Sequence, residues 1–203
     1  MLTESQVIIA QREPQFSALL QQVVLDAAQT ADSSKHDLLA ALIAARLGTS
    51  SETTLALASS LAAAAIAKAT RRQLMLLGIV TFIDEIRPRH LASVSQFKTW
   101  LEPVFKSFGD VEFQRIDARH LAALACVIVD PTSERDLSTI LNMKSVLFLH
   151  TMADFDDVDG FLELQHNWNE VLCTVQLTSV GSIVGGLVLS QIMQLDFPQP
   201  EWG

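Results

Sequence analysis

Apolar residues recur along most of the chain at the three- and four-residue spacing of an amphipathic helix. In the first such segment, residues 14–30, the apolar stripe consists of Phe16, Leu19, Leu20, Val23, Val24 and Ala27. Helices are also predicted over 97–108, 117–129 and 160–172. The clearest strand composition is that of residues 173–177 (CTVQL). The pattern therefore predicts a chain that is helical almost throughout.

Other segments carry small or apolar residues on every side, which is typical of buried helices. Residues 52–69 are rich in Ala, so we expect a neighbouring helix to approach them closely. Thr70 and Gln73 have capping-box spacing before the apolar run 74–83. Residues 179–195 reach about 17 residues, the lower limit of a membrane span. Because Ser and Gln interrupt this run and no Lys or Arg flanks it, we expect a buried core helix and no membrane span.

These segments together predict an all-α, compact helical fold of about nine helices. We expect at most one short β-hairpin or strand pair, near 146–150 and 173–177. Residues 1–203 are predicted to form a single domain because no linker or repeat divides them. A subdivision into a helical part, 1–110, and a winged-helix-like part, 111–203, stays open.

Composition narrows the class of protein. Hydrophobic residues make up 49% and charged residues 18% of the chain, which excludes a disordered protein. The net charge of −9 excludes a broadly basic protein that coats nucleic acid. The first 30 residues lack the pattern of a secretory signal, so we expect a cytoplasmic protein. Cys126 and Cys173 lie among apolar residues and are expected to be core side chains.

The negative charge is unevenly distributed. Lys144 is the last basic residue, and residues 1–144 are close to neutral. The segment after it, 145–203, contains eight acids: Asp154, Asp156, Asp157, Asp159, Glu163, Glu170, Asp196 and Glu201. The C-terminal part of the chain is therefore strongly acidic.

The sequence contains no nucleotide-binding glycine motif, zinc-protease motif or nucleophile elbow. The acidic run at 154–160 does not fit a calcium-binding loop, because alignment on Gly160 puts Phe155 and His166 where carboxylates are needed. We therefore predict no cofactor and no metal. The run is expected to be a solvated loop that a basic partner would stabilise through Asp154, Asp156, Asp157 and Asp159.

Basic residues form two clusters at opposite ends of the helix predicted over 70–84. The clusters are Lys68, Arg71 and Arg72 at one end, and Arg87, Arg89 and His90 at the other. Helical rise separates them by about 20 Å, which predicts two small patches and no continuous stripe. The acidic loop of the same chain or of a neighbouring subunit is a candidate partner for either patch.

The segment 175–181 (VQLTSVG) resembles the second wing strand and following helix start of winged-helix proteins. The resemblance implies that the preceding helix, 160–172, would contact DNA. That helix carries Glu163 and Glu170 and no basic residue. We therefore do not expect nucleic acid to be a partner through this part of the chain.

A broader resemblance follows the order of the helical segments. The segments that carry it are DLLAALIAARLG (37–48), IAKATRRQLMLLGIVTFI (66–83), HLAALACV (120–127) and VQLTSVG (175–181). Their order is similar to that of an uncharacterised family of bacterial helical proteins known by locus-tag names. The resemblance implies a bacterial helical protein and carries over no catalytic residue.

The leading functional hypothesis is a non-enzymatic helical protein–protein interaction module that self-associates into a homo-oligomer. The apolar surplus and the small-residue segments 52–69 and 179–193 favour it. One alternative is a DNA-associated regulator that uses Arg71, Arg72, Arg87 and Arg89. A second alternative is an enzyme with its site near the polar stretch Asp84–His90.

Overall fold

A computed structural model describes residues 13–49, 52–88, 91–145 and 151–193. The α-helices in these ranges are α1 (Pro14–Ala28), α2 (Ser33–Leu47), α3 (Thr54–Lys68), α4 (Arg71–Glu85), α5 (Val94–Gly109), α6 (Arg115–Ala123), α7 (Leu137–Lys144), α8 (Phe161–Glu170) and α9 (Ser179–Met193). Short 3₁₀ turns cover Met152–Phe155 and Leu172–Thr174, and the strands are β1 (Val127–Val129) and β2 (Val175–Leu177). The predicted compact all-α fold of about nine helices is confirmed.

Helices α4 and α9 form the centre of the fold and pack against each other along their lengths. A Cβ atom on Gly185 of α9 would lie 2.0 Å from Thr81 Oγ1 and 2.5 Å from Leu77 O of α4. Only glycine permits this approach. The interpretation of residues 179–195 as a core helix is therefore confirmed over its described part, Ser179–Met193. No helix within the described ranges is long and apolar enough to cross a membrane.

Helix α4 begins as the sequence predicts. Thr70 Oγ1 accepts a hydrogen bond from Gln73 N at 3.2 Å, and Thr70 N donates to Gln73 Oε1 at 2.9 Å. This reciprocal capping box satisfies two backbone donors at the helix start. Ten of its fifteen residues are buried, as expected for a helix that is apolar on all sides.

Helix α3 joins the centre to α1 and α2, since it packs against both of them and against α9. Its inward face consists of small and aliphatic residues, among them Ala58, Ala62, Ala65 and Ile66. The small side chains allow three neighbours to come close to one helix. The predicted tight packing of the Ala-rich segment is therefore present.

The two strands are antiparallel, with Val127 opposite Leu177. This corrects two expectations: the partner of residues 175–177 is β1, and the helix predicted over 117–129 ends at Ala123. The cause is Ala125, whose φ of 58° is left-handed. The chain then turns so that Cys126 N donates to Leu121 O at 2.9 Å, which closes the helix. The other expected strand, 146–150, lies outside the described residues.

The segment 175–181, which resembles a wing strand followed by a helix, does form a strand and then the start of a helix. Thr178 lies between β2 and α9, and its Oγ1 accepts a hydrogen bond from Gly181 N at 3.2 Å. The 3₁₀ turn Leu172–Thr174 precedes β2, at the position where a winged-helix protein has the first strand of its wing.

The buried apolar side chains form one cluster from Leu19 to Leu189. The choice between one domain and a division after residue 110 stays a prediction.

Candidate functional site

The basic residues at the start of α4 belong to a polar network. Arg72 Nε lies 2.8 Å from Oδ2 of Asp117, a carboxylate on α6 that is almost completely buried. Gln73 Nε2 donates to Asp117 Oδ1 at 3.2 Å, and His120 Nδ1 lies 2.9 Å from Gln73 Oε1. A buried carboxylate needs such partners to offset its lost hydration. Arg72 therefore stabilises the α4–α6 contact.

Two further candidate arginines, Arg71 and Arg87, lie near the two ends of α4, as expected. Arg71 is exposed and lines a cavity of about 460 Å³ together with Asp32 and Ser34 at the start of α2. Arg87 is exposed just beyond the end of α4. The other two members of that cluster, residues 89 and 90 (Arg89 and His90), lie outside the described residues.

The acidic loop finds basic partners on α5. Lys98 Nζ lies 2.6 Å from Asp157 Oδ1, and Lys106 Nζ lies 3.4 Å from Asp159 Oδ2. The hydrogen bond from Lys98 lowers the pKa of Asp157. Two lysines of the same chain therefore pair with the loop, and among the residues that the structure describes Arg71, Arg72 and Arg87 make no ion pair with it.

Asp154 and Asp156 complete the acidic loop. Asp154 Oδ2 accepts hydrogen bonds from Thr151 N at 2.7 Å and from Thr151 Oγ1 at 3.0 Å, which caps the 3₁₀ turn. Asp156 is exposed. In the part of the chain that the structure describes, no group of three or more His, Cys, Asp or Glu side chains is arranged to hold a metal ion.

A second polar cluster lies between the end of α4 and helix α7. Arg135 Nη1 donates hydrogen bonds to both carboxylate oxygens of Asp84, each at 2.7 Å. The Arg135 guanidinium stands 4.9 Å from the centre of the Trp168 ring, and its Nη2 donates to Leu172 O at 3.1 Å. Trp168 Nε1 donates in turn to Arg135 O at 2.7 Å. The ion pair with Asp84 and the contact with the Trp168 ring together fix the Arg135 side chain in one orientation.

Lys144 is the unusual member of this cluster, because only 7% of it is exposed. Its ammonium group donates to Ile86 O and makes no ion pair with a described carboxylate. Burial lowers the pKa of Lys144 to about 8, although nearby Asp84 opposes the shift. Burial also raises the pKa values of Asp84 and Glu85. Burial in this cluster therefore disfavours the charged forms of Asp84, Glu85 and Lys144.

A different kind of surface covers α1 and α3, which pack against each other. Each helix has fifteen residues, and their only charged residues are Asp26, which is buried, and Lys68. Four large apolar side chains on these helices are more than half exposed: Val24 (66%), Leu25 (59%), Leu57 (65%) and Leu61 (53%). We call the outward side of these two helices the α1–α3 face. It combines these apolar side chains with the exposed glutamines Gln15, Gln21 and Gln22 of α1, and Lys68 is its one exposed charge.

The two cysteines behave as core residues. Cys126 and Cys173 are both buried and unpaired. Burial raises the pKa of Cys126 to about 12, and burial also raises the pKa of Cys173. Thiolates are therefore disfavoured at both positions.

The comparisons with known proteins identify a family. The model of an uncharacterised family, named after a locus tag with the suffix "-like", matches residues 2–157. The chain belongs to this family. The matched range includes α1 to α7 and most of the acidic loop, and the resemblance inferred from the order of helical segments is confirmed. Neither the curated proteins nor the solved structures yield a match.

Sequence reasoning selected the stretch Asp84–His90 but missed Arg135, Lys144 and Trp168. Trp168 lies on α8, beyond the residues that the family model matches. Its approach to Arg135 depends on tertiary structure and leaves no local pattern. Lys144 did leave one: it is a single cation between Leu141 and Met143 on one side and an apolar run, VLFL, on the other.

Proposed function

We propose that the protein is a non-enzymatic helical interaction module that self-associates in the cytoplasm, with a second copy of the chain covering the α1–α3 face. The supporting observation is that four large apolar side chains are exposed on two packed helices that present almost no charge. Depletion of charge and enrichment of exposed apolar side chains are typical of the centre of a protein interface.

The pattern on α3 fits a second copy of the same surface. Leu57 and Leu61 lie one turn apart, and the small residues Ser60 and Ala64 lie beside them on the outward side. Leucines of one α3 can therefore pack over the small residues of another about a two-fold axis. Lys68 is the one exposed charge on these two helices and lies at the end of α3, so this self-contact meets little electrostatic repulsion.

The size of the face sets the expected strength of the contact. A fifteen-residue helix is about 22 Å long, and two adjacent helices present a flat area of roughly 450 Å². Such an area is small beside the roughly 800 Å² per partner of a standard interface. We therefore expect a reversible dimer with a Kd in the micromolar range.

Multi-angle light scattering over a range of concentrations tests this proposal. The chain is expected to approach twice its 22.3 kDa mass as concentration rises through the micromolar range. The double variant Leu57→Gln and Leu61→Gln should remain monomeric. Leu162→Gln is the matched control, because this leucine is 56% exposed on α8 and lies outside the α1–α3 face; it should dimerise like the unchanged chain. A monomer at about 100 µM, or equal dimerisation of all three proteins, would contradict the proposal.

The DNA-associated alternative has weaker support. Arg72 is already paired with buried Asp117, and Arg71 and Arg87 lie near opposite ends of α4. The outward residues of α8 include Glu163 and Glu170. Phosphate binding gains most from several cations on one surface. Fluorescence anisotropy with a random DNA duplex at about 50 mM salt tests this alternative, and we expect no binding.

A further inference from the structure

We propose that the cleft between the end of α4 and helix α7 binds a small monocarboxylate with a short aliphatic chain, whose carboxylate lies between Arg87 and Lys144. This site lies on different residues from the α1–α3 face, and the proposal does not depend on self-association. The ligand class follows from the shape of the cleft, from the charges that are already paired, and from the apolar side chains beside them.

The cleft is large enough for a small organic molecule. Its volume is about 450 Å³, and residues of α4, of the segment after it, and of α7 line it. Ligand pockets commonly have volumes of 300–1,000 Å³. The cleft is formed where Asp84 and Arg135 join the two segments, so its walls are held by the ion pair and the Trp168 ring.

The charges that line the cleft are three cations and two carboxylates. Both carboxylates already have partners. Asp84 pairs with Arg135, and Asp136 accepts hydrogen bonds from Thr139 N at 2.9 Å and from Thr139 Oγ1 at 2.6 Å. The hydrogen bond from the Ser138 hydroxyl, together with those from Thr139, lowers the pKa of Asp136 to about 2. Neither carboxylate needs a cationic ligand.

The two remaining cations lack an anionic partner among the described residues. Arg87 makes no ion pair there, and Lys144 spends one donor on the carbonyl of Ile86. A buried ammonium group with unused donors is costly unless a negative group approaches it. These two cations, which both line the cleft, therefore mark the place where the carboxylate of the proposed ligand would bind.

The rest of the lining selects the kind of anion. Ile83, Ile140 and Met143 supply an apolar wall beside the cations, which suits a short aliphatic chain. The carboxylates of Asp84 and Asp136 line the same cleft and would repel a doubly charged phosphate more strongly than a single carboxylate. A monocarboxylate with an aliphatic chain satisfies both constraints.

Isothermal titration calorimetry with acetate, butyrate and hexanoate at pH 7 tests the ligand class. Hexanoate is expected to bind saturably and about 15-fold more tightly than butyrate, because each buried methylene contributes about fourfold. Hexylamine and inorganic phosphate should not bind measurably. No saturable binding of hexanoate at about 10 mM, or equally tight binding of phosphate, would overturn the proposal.

Variants test which side chains bind the carboxylate of the ligand and which contact its aliphatic chain. Arg87→Met and Lys144→Met should each weaken hexanoate binding by about tenfold or more, since each removes a charged hydrogen bond. Arg87 is exposed, so its variant is expected to fold even if the buried Lys144→Met variant does not. Lys106→Met on α5 is the matched control and should bind normally. Met143→Gln should leave acetate unchanged and reduce the gain from chain length.

The pH dependence supplies an independent readout on Lys144. The charged groups that act on Lys144 are Asp84 and Glu85, which favour its protonated form, and Arg87, which opposes it. With a pKa of about 8, its ammonium form is complete well below that pH and is lost above it. Hexanoate affinity should therefore fall between pH 7 and pH 9.5, and Lys144→Met should show no such fall. Equal affinity in the unchanged chain and in both charge variants would contradict the proposed site.

Discussion

Helices α3 and α9 are similar in sequence but differ in how they use their small residues. Both have fifteen residues, and their only charged residue is Lys68, at the end of α3. On α9 two of the three glycines lie against the same chain: a Cβ on Gly181 would lie 2.0 Å from Cys126 O, and one on Gly185 would meet α4. On α3 most of the alanines also face inward, but Leu57 and Leu61 point to solvent.

The difference shows that small residues alone do not reveal which molecule a helix packs against. They allow a close approach, and the neighbour can belong to the same chain or to another. The large residues on the opposite side carry the distinguishing information. A Cβ atom on Gly186 of α9 would meet no atom within 4 Å, whereas the outward side of α3 carries two exposed leucines.

The largest expected change in stability comes from adding a side-chain atom where α9 and α4 are in contact. Gly185→Ala places a Cβ atom 2.5 Å from the backbone oxygen of Leu77, which cannot move unless the helices separate. We expect a loss of about 3 kcal/mol in the free energy of unfolding, at the upper end of overpacking effects. Urea denaturation measures it. A loss below about 1 kcal/mol would mean that α9 does not depend on this close approach.

A smaller effect of opposite sign is expected at the next residue. In Gly186→Ala the added Cβ atom meets no other atom within 4 Å, and alanine replaces glycine, which is a poor helix former. The substitution should therefore raise the free energy of unfolding by about 0.5–1 kcal/mol. The same denaturation experiment gives the value. Destabilisation at this position would show that this side of α9 is covered.

The smallest effect on stability is expected on α3. Leu57→Gln with Leu61→Gln changes side chains that are more than half exposed, so the monomer should lose less than about 0.5 kcal/mol. The experiment is urea denaturation at a protein concentration well below the expected Kd, because dimerisation itself adds stability. A loss above about 2 kcal/mol would show that these leucines belong to the core of the monomer.

The helical part of the fold could be predicted because local spacing encodes it. Thr70 and Gln73 mark the start of α4, and the apolar stripe of residues 14–30 marks α1. The strand β1 could not be predicted in the same way. Its three residues continue an apolar run after α6, and the chain leaves the helix only because Ala125 adopts a left-handed conformation that alanine rarely adopts.

The candidate site was predictable only in part. The polar stretch after Ile83 drew attention to Asp84 and Arg87, which do line the α4–α7 cleft. Arg135 and Lys144 reach the same cleft from α7 and the residues before it, and only packing brings them there. The partners of the acidic loop were missed for the same reason, since helical spacing does not show which face of α5 lies beside that loop.

Hydroxyl-radical footprinting at two protein concentrations tests most directly whether a second copy covers the α1–α3 face. The method reports the solvent exposure of individual side chains, and Leu162 serves as an exposed reference in the same molecule. If the face is an interface, Leu57 and Leu61 should lose reactivity as the concentration rises from about 1 µM to about 100 µM, while Leu162 remains unchanged. Equal labelling of all three leucines at both concentrations would contradict self-association through this face.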